Sequence, residues 1–134
     1  MFKKNNNNIS ILIVEDDVFL ADLYKTKFEL EGFEVYVAYD GEKGLELISK
    51  RKPSIILLDL ILPKINGFVV LENIKKDKKL KDIPVILLTN LSQKADVERG
   101  LGLGADDYLI KAHFMPSEVV VKIKELVKRK GTYN

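Results

Sequence analysis

The chain has 134 residues, 46% hydrophobic and 31% charged, which suits one domain with a single buried core. Its 22 basic and 20 acidic residues give a formal net charge of +2, so composition supplies no overall attraction to nucleic acid. The absence of cysteine excludes disulfides, thiolate metal ligands and a cysteine nucleophile, and fits a cytoplasmic protein. No apolar run reaches the ~20 residues of a membrane-spanning helix, so no membrane association is expected. The N-terminus lacks an apolar segment of the signal-peptide type.

Hydrophobic periodicity divides the chain into alternating strands and helices. The Asn-rich residues 1–8 are predicted to be a disordered tail, and residues 131–134 a short C-terminal tail. Strands are predicted at 9–14, 33–38, 55–59, 85–88 and 107–110. Helices are predicted at about 18–31, 41–52, 68–77, 93–103 and 116–130.

The order of these elements predicts the fold class. A strand followed by a helix occurs five times, with short loops and no internal repeat, which is typical of a parallel sheet covered on both faces. The runs at 55–58 and 85–88 are entirely apolar, as expected for central strands buried on both faces. We therefore predict one doubly wound α/β domain over residues 9–130.

Polar side chains of different types follow four of the predicted strands. Glu15 and Asp16 follow the first strand, Asp59 ends the third, Thr89 ends the fourth and Lys111 follows the fifth. All strands of a parallel sheet point the same way, so these side chains are expected to gather at one edge. In open α/β sheets that edge is where ligands bind.

The residue types at this edge suit phosphoryl transfer to a carboxylate. Clustered carboxylates favour a hard divalent cation such as Mg²⁺. The hydroxyl of Thr89 and the ammonium of Lys111 would bind an anionic group that arrives at the metal. Each residue also has a simpler interpretation, because Asp59 could be a turn residue, Thr89 a helix cap and Lys111 a solvated lysine. Their joint placement at one edge of the sheet favours a functional site over these simpler interpretations.

Four motifs contain these polar residues, in order along the chain: Ile-Leu-Ile-Val-Glu15-Asp16-Asp17, Ile-Ile-Leu-Leu-Asp59-Leu-Ile-Leu-Pro63 with Gly67, Val-Ile-Leu-Leu-Thr89, and Gly104-Ala-Asp-Asp-Tyr108-Leu-Ile-Lys111. In these motifs the chain resembles the receiver domains of two-component response regulators, over residues 9–130. The resemblance implies a CheY-like, flavodoxin-like sheet with strand order 2-1-3-4-5.

The resemblance implies that Asp59 is the phosphoacceptor, which takes a phosphoryl group from a phosphohistidine of a sensor kinase or a histidine phosphotransfer protein. It also implies a Mg²⁺ site, in which Mn²⁺ could substitute. Asp16, Asp59 and the backbone carbonyl of Ile61 would be its protein ligands, and Glu15 would act mainly through a metal-bound water. Receivers of this kind are signalling switches that catalyse their own phosphorylation and dephosphorylation.

The same resemblance implies that three further residues take part in a conformational switch. Lys111 would pair with the acyl phosphate oxygens, Thr89 would swing to hydrogen-bond the phosphoryl group, and Tyr108 would turn inward as space opens. Asp17 falls one place beyond the acidic pair, so we expect it to cap the first helix.

Three positions depart from the usual family pattern. Ala112 follows Lys111 where proline is common; because a cis bond before a non-proline residue costs ~2.5–4 kcal/mol, a cis bond is not expected here. Asn90 stands where a small residue is commoner, which would restrict movement of the loop. The bulky Ile61 is hypothesised to hinder the attacking water and slow dephosphorylation.

Competing interpretations are weaker. A haloacid dehalogenase-like phosphatase would carry a second Asp two residues after the nucleophile, where this chain has Ile61. A pseudo-receiver that only binds proteins would not need the complete set of polar residues.

The glycines at 100–104 precede a strand, which favours helix capping over phosphate binding. His113 has no carboxylate neighbour in sequence and is predicted to be solvent-exposed.

The output of the domain is the remaining question. No DNA-binding domain is expected after the fifth helix, and that helix contains only one arginine, Arg129. We therefore expect a stand-alone regulator without direct DNA binding; a fragment of a longer protein would have the same sequence features. It would signal by docking the surface of its fourth helix, fifth strand and fifth helix onto a protein partner.

Overall fold

The computed structural model describes residues 9–90, 92–111 and 115–130, with the side chain of Pro116 excepted. The predicted tails, Ala112 and His113 lie outside the described residues. None of the helices within the described ranges is both long enough and apolar enough to cross a membrane.

Within the described residues, five strands and five helices alternate, as predicted. The strands are parallel and lie in the order β2-β1-β3-β4-β5, which confirms the predicted fold class and sheet order. The elements are β1 Ser10–Val14, α1 Val18–Leu30, β2 Glu34–Ala38, α2 Gly41–Arg51, β3 Ile55–Asp59, α3 Gly67–Lys76, β4 Val85–Thr89, α4 Lys94–Gly102, β5 Asp107–Ile110 and α5 Pro116–Lys130.

The core consists of two apolar layers, one on each face of the sheet. Successive side chains of a strand point to opposite faces. In β3, Ile55 and Leu57 therefore pack into the layer that includes α1 and α5, while Ile56 and Leu58 pack into the layer that includes α3. All five residues of β3 are buried. This double coverage explains why the strand has no polar residue before Asp59.

The helices begin and end at residues that satisfy their free backbone groups. Asp17 Oδ1 accepts a hydrogen bond from the Leu20 amide at 3.1 Å, which confirms the predicted cap of α1. Gly32 follows α1 with a φ of 91°, and Gly104 follows α4 with a φ of 110°. Both angles are in the left-handed region that favours glycine at helix ends. The capping interpretation of Gly104 is therefore confirmed.

Candidate functional site

Three carboxylates meet at the carboxyl edge of the sheet. Because β1 pairs directly with β3, the ends of these two strands place Glu15 and Asp16 next to Asp59. Each of the three residues offers a carboxylate oxygen, and the three oxygens lie within 4.8 Å of one another. Glu15 is fully buried and Asp59 is 3% exposed, whereas Asp16 is exposed to solvent. The cluster therefore opens outward on the Asp16 side.

Lys111 supplies the positive charge beside this cluster. Its Nζ lies 2.8 Å from Asp59 Oδ2 and 2.6 Å from Glu15 Oε1. The backbone amide of Lys111 donates to the Thr89 carbonyl at 2.8 Å, which extends the pairing of β4 with β5 to this residue. The structure thus brings together Glu15, Asp59 and Lys111 from three different strand ends.

Burial and mutual charge shift the ionisation of these side chains. Burial, together with the adjacent Asp59 carboxyl, raises the pKa of Glu15 from 4.5 to about 7, although Lys111 opposes the shift. Burial lowers the pKa of the Lys111 ammonium, but its contacts with Asp59 and Glu15 outweigh burial and raise that pKa overall. Lys111 is therefore charged at neutral pH, while Glu15 exchanges its proton near neutrality.

The backbone around Asp59 is held by close contacts with the loop that follows. The amide of Ile61 donates to Asp59 Oδ1 at 3.0 Å, and the amide of Gly67 donates to the Leu60 carbonyl at 2.8 Å. A Cβ at Gly67 would lie 2.3 Å from the Asp59 carbonyl oxygen, so only glycine allows this approach. The Ile61 side chain is 56% exposed at the mouth of the site. The metal-ligand role of the Ile61 carbonyl stays a prediction.

The acidic cluster has the donor chemistry that a hard divalent cation requires. Glu15, Asp16 and Asp59 offer only oxygen, and their oxygens are close enough to contact one ion. Lys111 alone does not balance three carboxylates, so the site retains a net negative charge when all of them are ionised. These residues therefore fit a divalent metal.

Thr89 and Tyr108 are arranged differently from the acidic cluster. Thr89 is 1% exposed, and its hydroxyl lies 3.1 Å from both Gln93 Oε1 and the Asn90 carbonyl oxygen. Within the described residues, its hydroxyl makes no hydrogen bond to Asp59. The Tyr108 side chain is 42% exposed. Between them lies an open cavity of about 220 Å³, lined by Thr89, Asn90, Lys94, Val97, Tyr108 and Ile110.

Gln93 is the residue of this region that the sequence did not single out. Its Oε1 also accepts a hydrogen bond from the Asn90 amide at 2.8 Å. The feature of the sequence that could have identified Gln93 is its long amide side chain, four residues after Thr89 at the start of the next helix. Such spacing has no fixed meaning unless the path of the intervening loop is known.

Comparison with known proteins identifies relatives that regulate transcription. The chain is 41% identical over 119 residues to the DNA-binding dual master transcriptional regulator RpaA of Synechocystis sp., covering 89% of this chain and 49% of RpaA. It is 37% identical over 123 residues to the probable transcriptional regulator ycf27 of Cyanophora paradoxa, covering 92% of this chain and 50% of that protein. The chain thus spans about half the length of these relatives.

These relatives correct the expectation about partners. A stand-alone regulator without DNA binding, docking only onto a protein partner, was inferred from the scarcity of arginine in the fifth helix and from the residues after it. RpaA shares 41% of its matched residues with this chain and is a DNA-binding regulator. The inference is wrong because these relatives are about twice as long as the part that matches this chain, so the composition of the receiver alone does not reveal the output.

Family and structural comparisons agree on the domain. The receiver domain of Francisella response regulator 1452 superposes with a TM-score of 0.81 at 34% identity, covering 91% of this chain and 98% of that domain. The family model described as the response regulator receiver domain matches residues 11–124. In this family, phosphorylation on aspartate is typical. The chain therefore belongs to the response regulator receiver domain family and is a signalling domain of two-component systems.

Proposed function

We propose that this receiver accepts a phosphoryl group on Asp59 from the phosphohistidine of a sensor kinase or a histidine phosphotransfer protein. The observation that carries the proposal is the contact of Lys111 Nζ with Asp59 Oδ2 at 2.8 Å beside two further carboxylates. A lysine held in this way supplies a fixed positive charge where phosphoryl oxygens would arrive.

In the proposed reaction, a carboxylate oxygen of Asp59 attacks phosphorus, and the P–N bond to the donor histidine breaks. The nitrogen keeps the electron pair of that bond, and the product is an acyl phosphate. Lys111 then exchanges its contact with the free carboxylate for one with the phosphoryl oxygens. The Ile61 amide, which donates to Asp59 Oδ1, holds the carboxyl group in position during the attack. The domain thereby catalyses its own phosphorylation, and hydrolysis of the acyl phosphate resets it.

We propose Mg²⁺ as the metal, with Mn²⁺ as a substitute. Asp16, Asp59 and the Ile61 carbonyl would hold it directly, and Glu15 would act mainly through a bound water. The ion would offset the negative charge of the phosphoryl oxygens as they approach the carboxylates. Support comes from the oxygen-only donor set and the mutual approach of the three carboxylates within 4.8 Å.

The phosphoryl group would act as a switch through Thr89 and Tyr108. It adds roughly −1.5 to −2 charge and strong acceptor oxygens at Asp59. The Thr89 hydroxyl would leave its present partners and donate to these oxygens, and Tyr108 would turn toward the cavity beside Thr89. The similarity to transcriptional regulators supports transcription as the process that this switch controls.

The proposal is tested by incubating the protein with Mg²⁺ and acetyl phosphate and measuring the intact mass. The wild type is expected to gain one phosphoryl group, and Asp59→Asn none. Asp17→Asn is the matched control, because it removes a neighbouring carboxylate that caps α1. Equal phosphorylation of wild type and Asp59→Asn would exclude Asp59 as the acceptor.

A further inference from the structure

The side chain of Gln93 is hydrogen-bonded to the residue that the proposed switch requires to move. Gln93 Oε1 lies 3.1 Å from the Thr89 hydroxyl and 2.8 Å from the Asn90 amide nitrogen. The Asn90 amide is only a donor, so the side-chain atom of Gln93 that faces it must be the oxygen. One carboxamide oxygen therefore accepts from both residues at the end of β4.

The backbone of Gln93 fixes this side chain to α4. Gln93 precedes the first residue of α4, with φ −106° and ψ 35°, and its side chain does not cap its own helix. Its amide donates to the Asn90 carbonyl at 3.1 Å, and its carbonyl accepts from the Val97 amide at 2.9 Å. Backbone and side chain of one residue thus connect α4 to the segment that carries Thr89.

The Thr89 hydroxyl has one proton, and the acceptors of the unphosphorylated and the phosphorylated states would compete for it. In the structure described here, Gln93 Oε1 and the Asn90 carbonyl are the acceptors. With Asp59 phosphorylated, a phosphoryl oxygen would be the acceptor, as charged acceptors form the stronger hydrogen bonds. The contact with Gln93 exists only before that exchange, so it stabilises the unphosphorylated state selectively.

We propose that Gln93 is a positioning residue that holds Thr89 in its unphosphorylated orientation and so sets how readily the receiver switches. This inference rests on the proposed phosphorylation of Asp59. A contact present in only one of two states shifts their equilibrium by its own net free energy. The net free energy of one hydrogen bond changes an equilibrium constant by a factor of about three to ten. Loss of the Gln93 acceptor should therefore favour the switched state by about that factor.

The test uses beryllofluoride in the presence of Mg²⁺. Beryllofluoride becomes tetrahedral when it binds a carboxylate oxygen and so mimics a phosphoryl group on that carboxylate. Binding is followed by NMR titration of the backbone amides in the full chain. Gln93→Leu removes the acceptor at similar size and is expected to bind about three- to tenfold more tightly than wild type. Gln93→Glu keeps an acceptor oxygen at the same position and is expected to bind no more tightly than wild type. Glu98→Gln, on the exposed surface of α4, controls for substitution of this helix.

Amide hydrogen exchange without beryllofluoride gives a second measurement that an effect on folding alone would not produce. The Asn90 amide should lose protection in Gln93→Leu and keep it in Gln93→Glu, while the core amides of β4 stay protected in both. Equal affinities of wild type and Gln93→Leu would overturn the role of Gln93, as would equally tight binding by both Gln93 variants. If no protein binds beryllofluoride, wild type included, the proposed function fails and this inference fails with it.

Discussion

At the scale of single residues, Lys111 has the largest electrostatic role in the site. It contacts two carboxylates that are almost inaccessible to water, at 2.6 and 2.8 Å. Removing one partner of a buried ion pair leaves uncompensated charge, which is costly. Lys111 therefore serves both the stability of the unphosphorylated domain and the proposed reaction.

Lys111→Met is expected to lower the free energy of unfolding by about 3 kcal/mol in metal-free buffer at pH 8, because Glu15 and Asp59 then face each other without a cation. Urea unfolding measures the loss. Lys122→Met is the matched control: Lys122 lies 2.6 Å from Asp107, but both side chains are about one-third exposed. A surface pair contributes at most about 1 kcal/mol. Equal losses in the two variants would contradict this account of Lys111.

The ionisation of Glu15 predicts a pH dependence of stability. Its pKa in the folded protein is about 7, raised from 4.5 mainly by burial. Between these two values the folded state holds more protons than the unfolded state, so stability falls as pH rises. The free energy of unfolding of wild type, relative to Glu15→Gln, should decrease from pH 4.5 to pH 7 and level off above that range.

Urea unfolding of both metal-free proteins across pH 4.5–8 checks this dependence. Glu125→Gln removes an exposed carboxylate of α5 and serves as the control for a change in net charge. If the difference in free energy of unfolding between wild type and Glu15→Gln stayed constant over this range, the pKa of Glu15 would not be raised in the folded protein.

At the scale of elements, the start of α3 determines where Asp59 sits. The Asn66 side chain caps α3, and the Gly67 amide bonds back to Leu60, which folds the loop over the end of β3. A Cβ at Gly67 would lie 2.3 Å from the Asp59 carbonyl oxygen and 2.5 Å from Leu60 Cα. Backbone atoms cannot yield as a flexible side chain can, so the loop itself would have to shift.

Gly67→Ala is expected to lower the free energy of unfolding by about 1–3 kcal/mol and to slow phosphorylation, because overpacking displaces the backbone of Asp59. Gly102→Ala is the control, since a Cβ at that helical position meets nothing within 4 Å. It should be neutral or stabilising by up to about 1 kcal/mol. Urea unfolding and acetyl phosphate labelling measure both effects. Unchanged stability and labelling in Gly67→Ala would refute the clash.

The sequence predicted these elements well because their signals are local. Apolar runs identify β3 and β4, and Asp17 is recognisable as a cap from its position before a helical period. The grouping of Glu15, Asp59 and Lys111 was also predictable, since parallel strands place their carboxyl ends at one edge. The partner of Thr89 was not, because its hydrogen bond depends on how the chain turns between β4 and α4. Gln93 is carried to Thr89 by that turn.

At the scale of the whole molecule, charge is distributed unevenly between the two edges of the sheet. Basic residues occur in the last turns of α2, α3 and α5, which lie at the edge opposite the carboxylates. Across the ranges that the structure describes, Lys111 is the one basic side chain in ion-pair contact with Glu15 or Asp59. The distant lysines are screened by solvent and salt. The carboxylate charge that Lys111 leaves uncompensated is compatible with a bound divalent cation.

Mg²⁺ is accordingly expected to stabilise the whole domain, by about 2.7 kcal/mol at a concentration one hundred times its dissociation constant. Thermal unfolding at increasing Mg²⁺ concentration measures this as a rise in Tm. Asp16→Asn should abolish most of the rise, because it removes one of the three clustered carboxylates. Asp17→Asn makes the same chemical change at the next residue but should keep the rise, because Asp17 caps α1 and asparagine caps equally well. If Mg²⁺ raised the Tm of both variants as much as that of wild type, the ion would bind elsewhere, and the carboxyl edge would have to balance its charge through Lys111 alone.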